Sequence, residues 1–184
     1  PFAQPYWDGQ DLNGKTLLIW GEQAVGDELM FATMLPELQS LGGQLIIETE
    51  HRLKTLLSRS LPACSVIART NPPAPTLLGS HIDFQIAMGD IGQYLRPDLA
   101  AFKNGQPYLR ADSGHVSKLR GQYRALSGDR LKIGLSWRSG TEHAGTARSF
   151  DDASLARLMK FQDVWWLSLQ YGDITDDMAS LHAA

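Results

Sequence analysis

Residues Thr16 to Leu38 constrain this chain more than any other segment. A short apolar run, Thr-Leu-Leu-Ile-Trp, meets a polar turn, Gly21-Glu22-Gln23-Ala24-Val25-Gly26, and a helix-period apolar pattern follows at once. That order predicts strand, loop and helix, the opening of a Rossmann-like unit, in which ligands bind at the carboxyl ends of the strands. The turn therefore carries Glu22, Gln23, Gly26 and Asp27 to the place where an α/β protein does its chemistry.

The turn also excludes two nucleotide sites. Gly21 and Gly26 have the spacing of a phosphate loop, but Asp27 and Glu28 stand where that loop needs lysine and a hydroxyl residue. The dinucleotide pattern of three glycines is absent, since Gln23 occupies the second glycine position. Paired carboxylates repel phosphate and suit a hydroxyl-rich or cationic ligand. Asp27 then has two readings: a helix N-cap, with Glu28 favourable in the first turn, or a general base for a sugar hydroxyl. Glu22 is a second candidate base, or a salt-bridge partner. Met30, Phe31, Met34, Leu35 and Leu38 recur at helical spacing as core residues, and Pro36 is expected to kink or split the helix.

Downstream, strand-like and helix-like segments alternate. Strands are expected over 44–50, 64–69, 83–88, 131–137 and 164–169. Helices are expected over 51–60, 91–96, 113–126 and 151–160, with a last one from about Ile174. This alternation predicts an α/β fold with a mostly parallel sheet. It divides the chain into an N-terminal Rossmann-like domain (1–112), a connecting helix and linker (113–130), and a partial second domain (131–184). The last part has only about 50 residues, few for an independent core, and Trp137, Trp165 and Trp166 need cover. An exposed tryptophan-bearing edge is expected to drive self-association.

Composition narrows the function classes. A net charge of −3 with no basic cluster argues against nucleic acid as a partner. No apolar stretch is long enough to span a bilayer, and Pro-Phe-Ala-Gln-Pro at the start is no signal peptide. The single cysteine, Cys64, fits a reducing compartment and a cytoplasmic location. Opening on Pro1 suggests a fragment. No cofactor is called for, and no cysteine–histidine cluster or paired-aspartate motif points to a metal.

The segment Gly21 to Leu38 resembles the glycosyltransferase-like domain that follows tetratricopeptide repeats in bacterial proteins, itself similar to the lipopolysaccharide heptosyltransferases. Tyr6-Trp7-Asp8-Gly9, Asp83-Phe84-Gln85-Ile86, Gly105 to Asp112, Ile133 to Trp137 and Ser168 to Gly172 match in the same order, so the resemblance covers essentially the whole chain. It implies a GT-B fold, two facing Rossmann-like domains without a metal, here truncated in the second. The acceptor lies on the first domain, near Glu22, Gln23 and Gly26, and the nucleotide-sugar donor mainly on the second. Asp27 matches the heptosyltransferase catalytic base. Ala24 departs from the family's usual glycine.

In the loop after Trp137, Arg138, Ser139, Thr141 and Arg148 suit a diphosphate, with Arg148 aligned to a basic residue of the family. A mobile surface loop, with Asp151 and Asp152 capping the next helix, is the alternative. The reading that follows is a fragment of a transferase acting on a nucleotide-sugar donor and an unknown acceptor, inactive by itself. The alternatives are a non-catalytic protein-interaction module beside tetratricopeptide repeats, and a small-molecule-binding Rossmann domain of another class.

Overall fold

The computed structural model describes residues 2–79, 81–102, 107–139 and 149–183. The chain divides into two units, Pro1–Ser113 and Gly114–Ala184. The first is a mixed α/β unit around a four-stranded parallel sheet in the order β3-β2-β1-β4, with β1 Thr16–Trp20, β2 Gln44–Thr49, β3 Ser65–Ala68 and β4 Phe84–Ala87. Leu17 is in register with Leu45 on one side and with Phe84 on the other. A central parallel strand is covered on both faces, which is why β1 reads as an unbroken apolar run. Leu17, Leu18 and Ile19 are fully buried.

Helix α1 (Val25–Phe31) passes through a 3-10 turn, Ala32–Met34, into α2 (Leu35–Gln39). Pro36 is the second residue of α2, where its missing N–H costs nothing, so the proline divides the helix as the sequence requires. Met34, Leu35 and Leu38 join the core, but Met30 is 56% exposed and leaves the predicted core set. The helical period placed it one step off the buried stripe. Helix α3 (Lys54–Ser60) and α4 (Gly92–Leu95) complete the unit's α-helices among the described residues.

The residues preceding β1 are tied to the far edge of the sheet. Trp7 N–H donates to Gln85 O and Gln85 N–H donates to Pro5 O, both at 2.9 Å, so Pro5 to Trp7 runs alongside β4. The Trp7 ring is buried against Tyr94, with centroids 4.9 Å apart. Gly9 has φ +96°, and a side chain there would meet the Tyr94 ring. At the other end of β4, Asp83 accepts from the Thr16 N–H and pairs with Lys15, and these bonds hold its carboxyl below the usual range.

The second unit contains most of α5 (Ser113–Ser127), then β5 (Leu131–Leu135), α6 (Asp152–Met159), β6 (Val164–Ser168) and α7 (Thr175–Ala183). β5 and β6 form a two-stranded parallel sheet. Its tryptophans have cover within the unit: Trp137 is 7% exposed, Trp165 packs on Tyr123 at 5.4 Å, and Trp166 is half-buried. Trp137 is therefore buried, while Trp165 and Trp166 are partly covered, Trp165 by Tyr123 of α5. Among the described residues, no helix is long and apolar enough to cross a membrane.

Candidate functional site

In this sheet the chain reverses its strand order between β1 and β4. β1 leads outward to β2 and β3, and the chain then returns to the other side of β1. The crevice outside the carboxyl ends of two such strands is the usual ligand position of an open α/β sheet. Glu22 follows β1 and Gly89 follows β4. An ideal Cβ on Gly89 would come within 2.8 Å of Glu22 Oε1, so the two loops touch across that crevice.

The loop after β1 is set by Glu28. This carboxylate is 1% exposed. It accepts from Thr49 Oγ1 at 2.5 Å and from the Glu50 N–H at 3.0 Å, and it pairs with Arg69. Helix α1, the end of β2 and the residue after β3 are thereby joined by one side chain. Gly21 lies against this pair, and any side chain on it would strike the Arg69 guanidinium and the Glu28 carboxylate. Glu48 adds a second buried carboxylate, 4.0 Å from Arg69 Nε. Burial pushes the Glu48 carboxyl up, against the opposing pull of Arg69. The sequence reads Glu28 as a favourable first-turn residue and as one of two carboxylates at the turn, but its carboxylate is buried and engaged rather than presented to a ligand. Its role depends on Thr49, Glu50 and Arg69, which are distant in sequence.

Asp27 is not the helix N-cap. Ala24 holds that position in extended conformation, and Asp27 is the third residue of α1, its own N–H donating to Ala24 O at 2.9 Å. Among the described residues the half-buried Asp27 carboxylate has no hydrogen-bond or ion-pair partner. Glu22, Gln23 and Gly26 are exposed around it. Glu22, Gln23, Gly26 and Asp27 thus lie together on one loop and the first turn of α1.

On the far side of β4, Tyr6 donates to Asp90, which follows Gly89. Partial burial, reinforced by that bond, pushes the Tyr6 phenol up to about 12. Tyr108 reaches back to α1 and donates to Leu29 O at 2.6 Å, and burial raises its phenol too. Both residues belong to motifs that the sequence reading noted, and both here act as struts.

In the second unit, the segment after β5 is organised by Gln170. Its Oε1 accepts from Ser136 Oγ and from the Trp137 and Arg138 N–H groups at 3.0–3.1 Å, while Nε2 donates to Arg138 O and Tyr171 O. Arg138 itself pairs through Nε with Asp177 at 3.0 Å and donates to Asp173 O. Asp177 also accepts the Trp137 indole N–H. Asp177 is thus a shared acceptor. Asp151 caps α6, accepting from the Ser154 N–H at 2.6 Å. Ser139 N–H donates to Ser149 Oγ. Thr141, His143 and Arg148 lie outside the described residues.

No family model and no solved structure matches the chain. Protein FlbA of Caulobacter vibrioides is 36% identical over 186 residues, an overlap that takes in 94% of this chain and 31% of the relative. The chain therefore spans about a third of the length of the curated relative it matches.

Proposed function

We propose that this chain serves glycosyl transfer from a nucleotide-sugar donor to a hydroxyl acceptor, with the acceptor at the carboxyl ends of β1 and β4. The observation that carries the reading is the Asp27 carboxylate beside that crevice, which has no partner among the described residues, since a general base needs an unoccupied lone pair. In the reaction, the acceptor oxygen forms a bond to the anomeric carbon as the bond to the diphosphate oxygen breaks. Asp27 takes the acceptor proton, and the diphosphate leaves with the electron pair. Arg138, Ser139, Thr141 and Arg148 are the residues proposed to hold it, on a second domain of GT-B type. Glu22 and Gln23 bind acceptor hydroxyls next to Asp27. Activity of this kind belongs to the longer protein, and the cytoplasm, where nucleotide sugars are made, is the compartment it implies.

One observation favours a non-catalytic interaction module instead. The Arg138 guanidinium already serves Asp177 and Asp173 O, which lessens what it can offer a phosphate. Calorimetry with a panel of nucleotide sugars, on this chain and on the longer gene product, separates the two readings. Binding of a donor with sugar release by the longer product supports transfer; the absence of both supports the module. With activity in hand, Asp27→Asn is expected to lower kcat by about 100-fold or more at unchanged donor KM. Full activity in that variant would remove Asp27 as the base.

A further inference from the structure

A cavity of about 680 Å³ opens on the first unit, within the range of small-molecule sites. Met30, Phe31, Met34, Phe102 and Tyr108 give it an apolar wall. Met30 is 56% and Phe102 63% exposed, so two large apolar side chains stand at its rim in water. Methionine at two positions supplies a soft, adaptable surface for apolar groups of differing shape.

The cavity is not uniform around its edge. Gly89 lines it, and a Cβ there would fall 2.8 Å from Glu22 Oε1 and 3.2 Å from the Phe31 ring. The carboxylate of the acidic loop and the apolar wall therefore meet at one backbone position that has no side chain. Asp27 precedes Met30 by three residues and Phe31 by four, which puts it on the same face of α1. Arg96, also in the lining, gives its charge to Glu37 at 2.9 Å and lies 5.9 Å from the centre of the Phe102 ring. That guanidinium is engaged, so it does not offer the cavity a free cation for an anionic ligand.

We infer that this cavity binds the apolar group of an alkyl or aryl glycoside, whose uncharged, hydroxyl-rich head is held by Glu22 and Asp27. The glycoside is the acceptor class for the transfer proposed above, and the inference rests on that reading for its place in the reaction. Apolar burial supplies affinity, and the carboxylates accept hydroxyl protons from a head that carries no negative charge.

The test uses the whole chain and displacement of the fluorescent probe N-phenyl-1-naphthylamine by octyl β-D-glucoside, octyl sulfate and glucose, below micelle-forming concentrations. Octyl glucoside is expected to displace the probe at least about ten-fold more tightly than octyl sulfate, and glucose not at all. Met30→Lys, on the exposed face of α1, is expected to weaken both probe and octyl glucoside by about ten-fold. Thr33→Trp, filling the same cavity from an exposed position, checks that the loss is not unfolding. Asp27→Asn should weaken octyl glucoside alone and spare the probe. Equal binding of octyl sulfate, or unchanged affinity in both cavity variants, would overturn the inference. Transfer by the longer product to free and octyl-linked sugars with equal efficiency would also overturn it while leaving the transfer reading intact. Octyl glucoside binding as expected, with no nucleotide sugar bound or hydrolysed by the longer product, would retain the cavity site and sink the transfer reading.

Discussion

The two parallel sheets of this chain obey the same pairing rule and reach different states of burial. In the first unit β1 has a strand on each side, and Leu17, Leu18 and Ile19 are fully buried. In the second, β5 and β6 pair only with each other among the described residues, Leu131 is 64% exposed and Lys132 beside it is exposed. A two-stranded sheet has no central strand, so hydrophobic burial holds it less firmly. Its order comes more from side-chain hydrogen bonds, with Gln170 binding the segment after β5 and Asp177 binding Trp137 and Arg138. The first unit also has a polar anchor, but Glu28 is buried beneath strands that are already packed. Polar anchors thus do different work in the two places: Glu28 is a buried anchor on a packed core, and Gln170 clamps a partly exposed segment after β5.

Three substitutions can break or sharpen that contrast. Glu28→Ala should have the largest effect, about 3 kcal/mol, because it strands Arg69 and leaves Thr49 Oγ1 and the Glu50 N–H without their acceptor. Urea denaturation read with amide exchange in β1 and β2 would measure it, and a loss under about 1 kcal/mol would mean that the network is ornamental. Gln170→Ala should cost about 1–2 kcal/mol and free the amides of Trp137 and Arg138 to exchange. Unchanged protection there would show that β5 and β6 need no side-chain clamp.

Tyr6→Phe is the smallest, about 0.5–1 kcal/mol at neutral pH. Its sign with pH is definite. The folded phenol titrates at about 12, above the ordinary 10.0, so its stabilisation is complete below pH 10 and is lost as pH rises toward 12. Wild type and variant should therefore converge over that interval in alkaline melts. A gap that persists through pH 12 would remove Tyr6 from the account.

The parts of this fold that were legible in the sequence are those governed by local pattern. The apolar run of β1, a helix directly after the turn, the split at Pro36 and the alternation of strands and helices all follow from neighbours a few residues apart. Misreadings arose where a partner comes from far away. Asp27 looked like a cap because aspartate favours that position, yet Ala24 takes it and leaves the carboxylate unpartnered. Met30 fits the apolar period, but the cavity, not the core, is its neighbour. Glu28 and Arg69 are 41 residues apart, and no spacing rule connects them. Glu22 to Asp27 form one contiguous segment after β1, so their place on the loop and first turn of α1 could be read directly. Arg138 also stood out in a loop motif, but its engagement with Asp177 was not foreseeable from that motif.

The strip from Pro5 to Trp7 beside β4 also sets an order in time. It bonds to Gln85, and β1 pairs with β4 across 67 residues, whereas β1 and β2 are near neighbours in sequence. A ribosome adding about 5–20 residues per second needs on the order of ten seconds to extend the chain from Trp7 to Gln85. Until β4 is made, β1 has no strand to pair with on that side. The sheet's last seam is therefore closed by residues made long before their partner, and a nascent chain stalled short of Gln85 would carry β1 with its outer edge still unpaired.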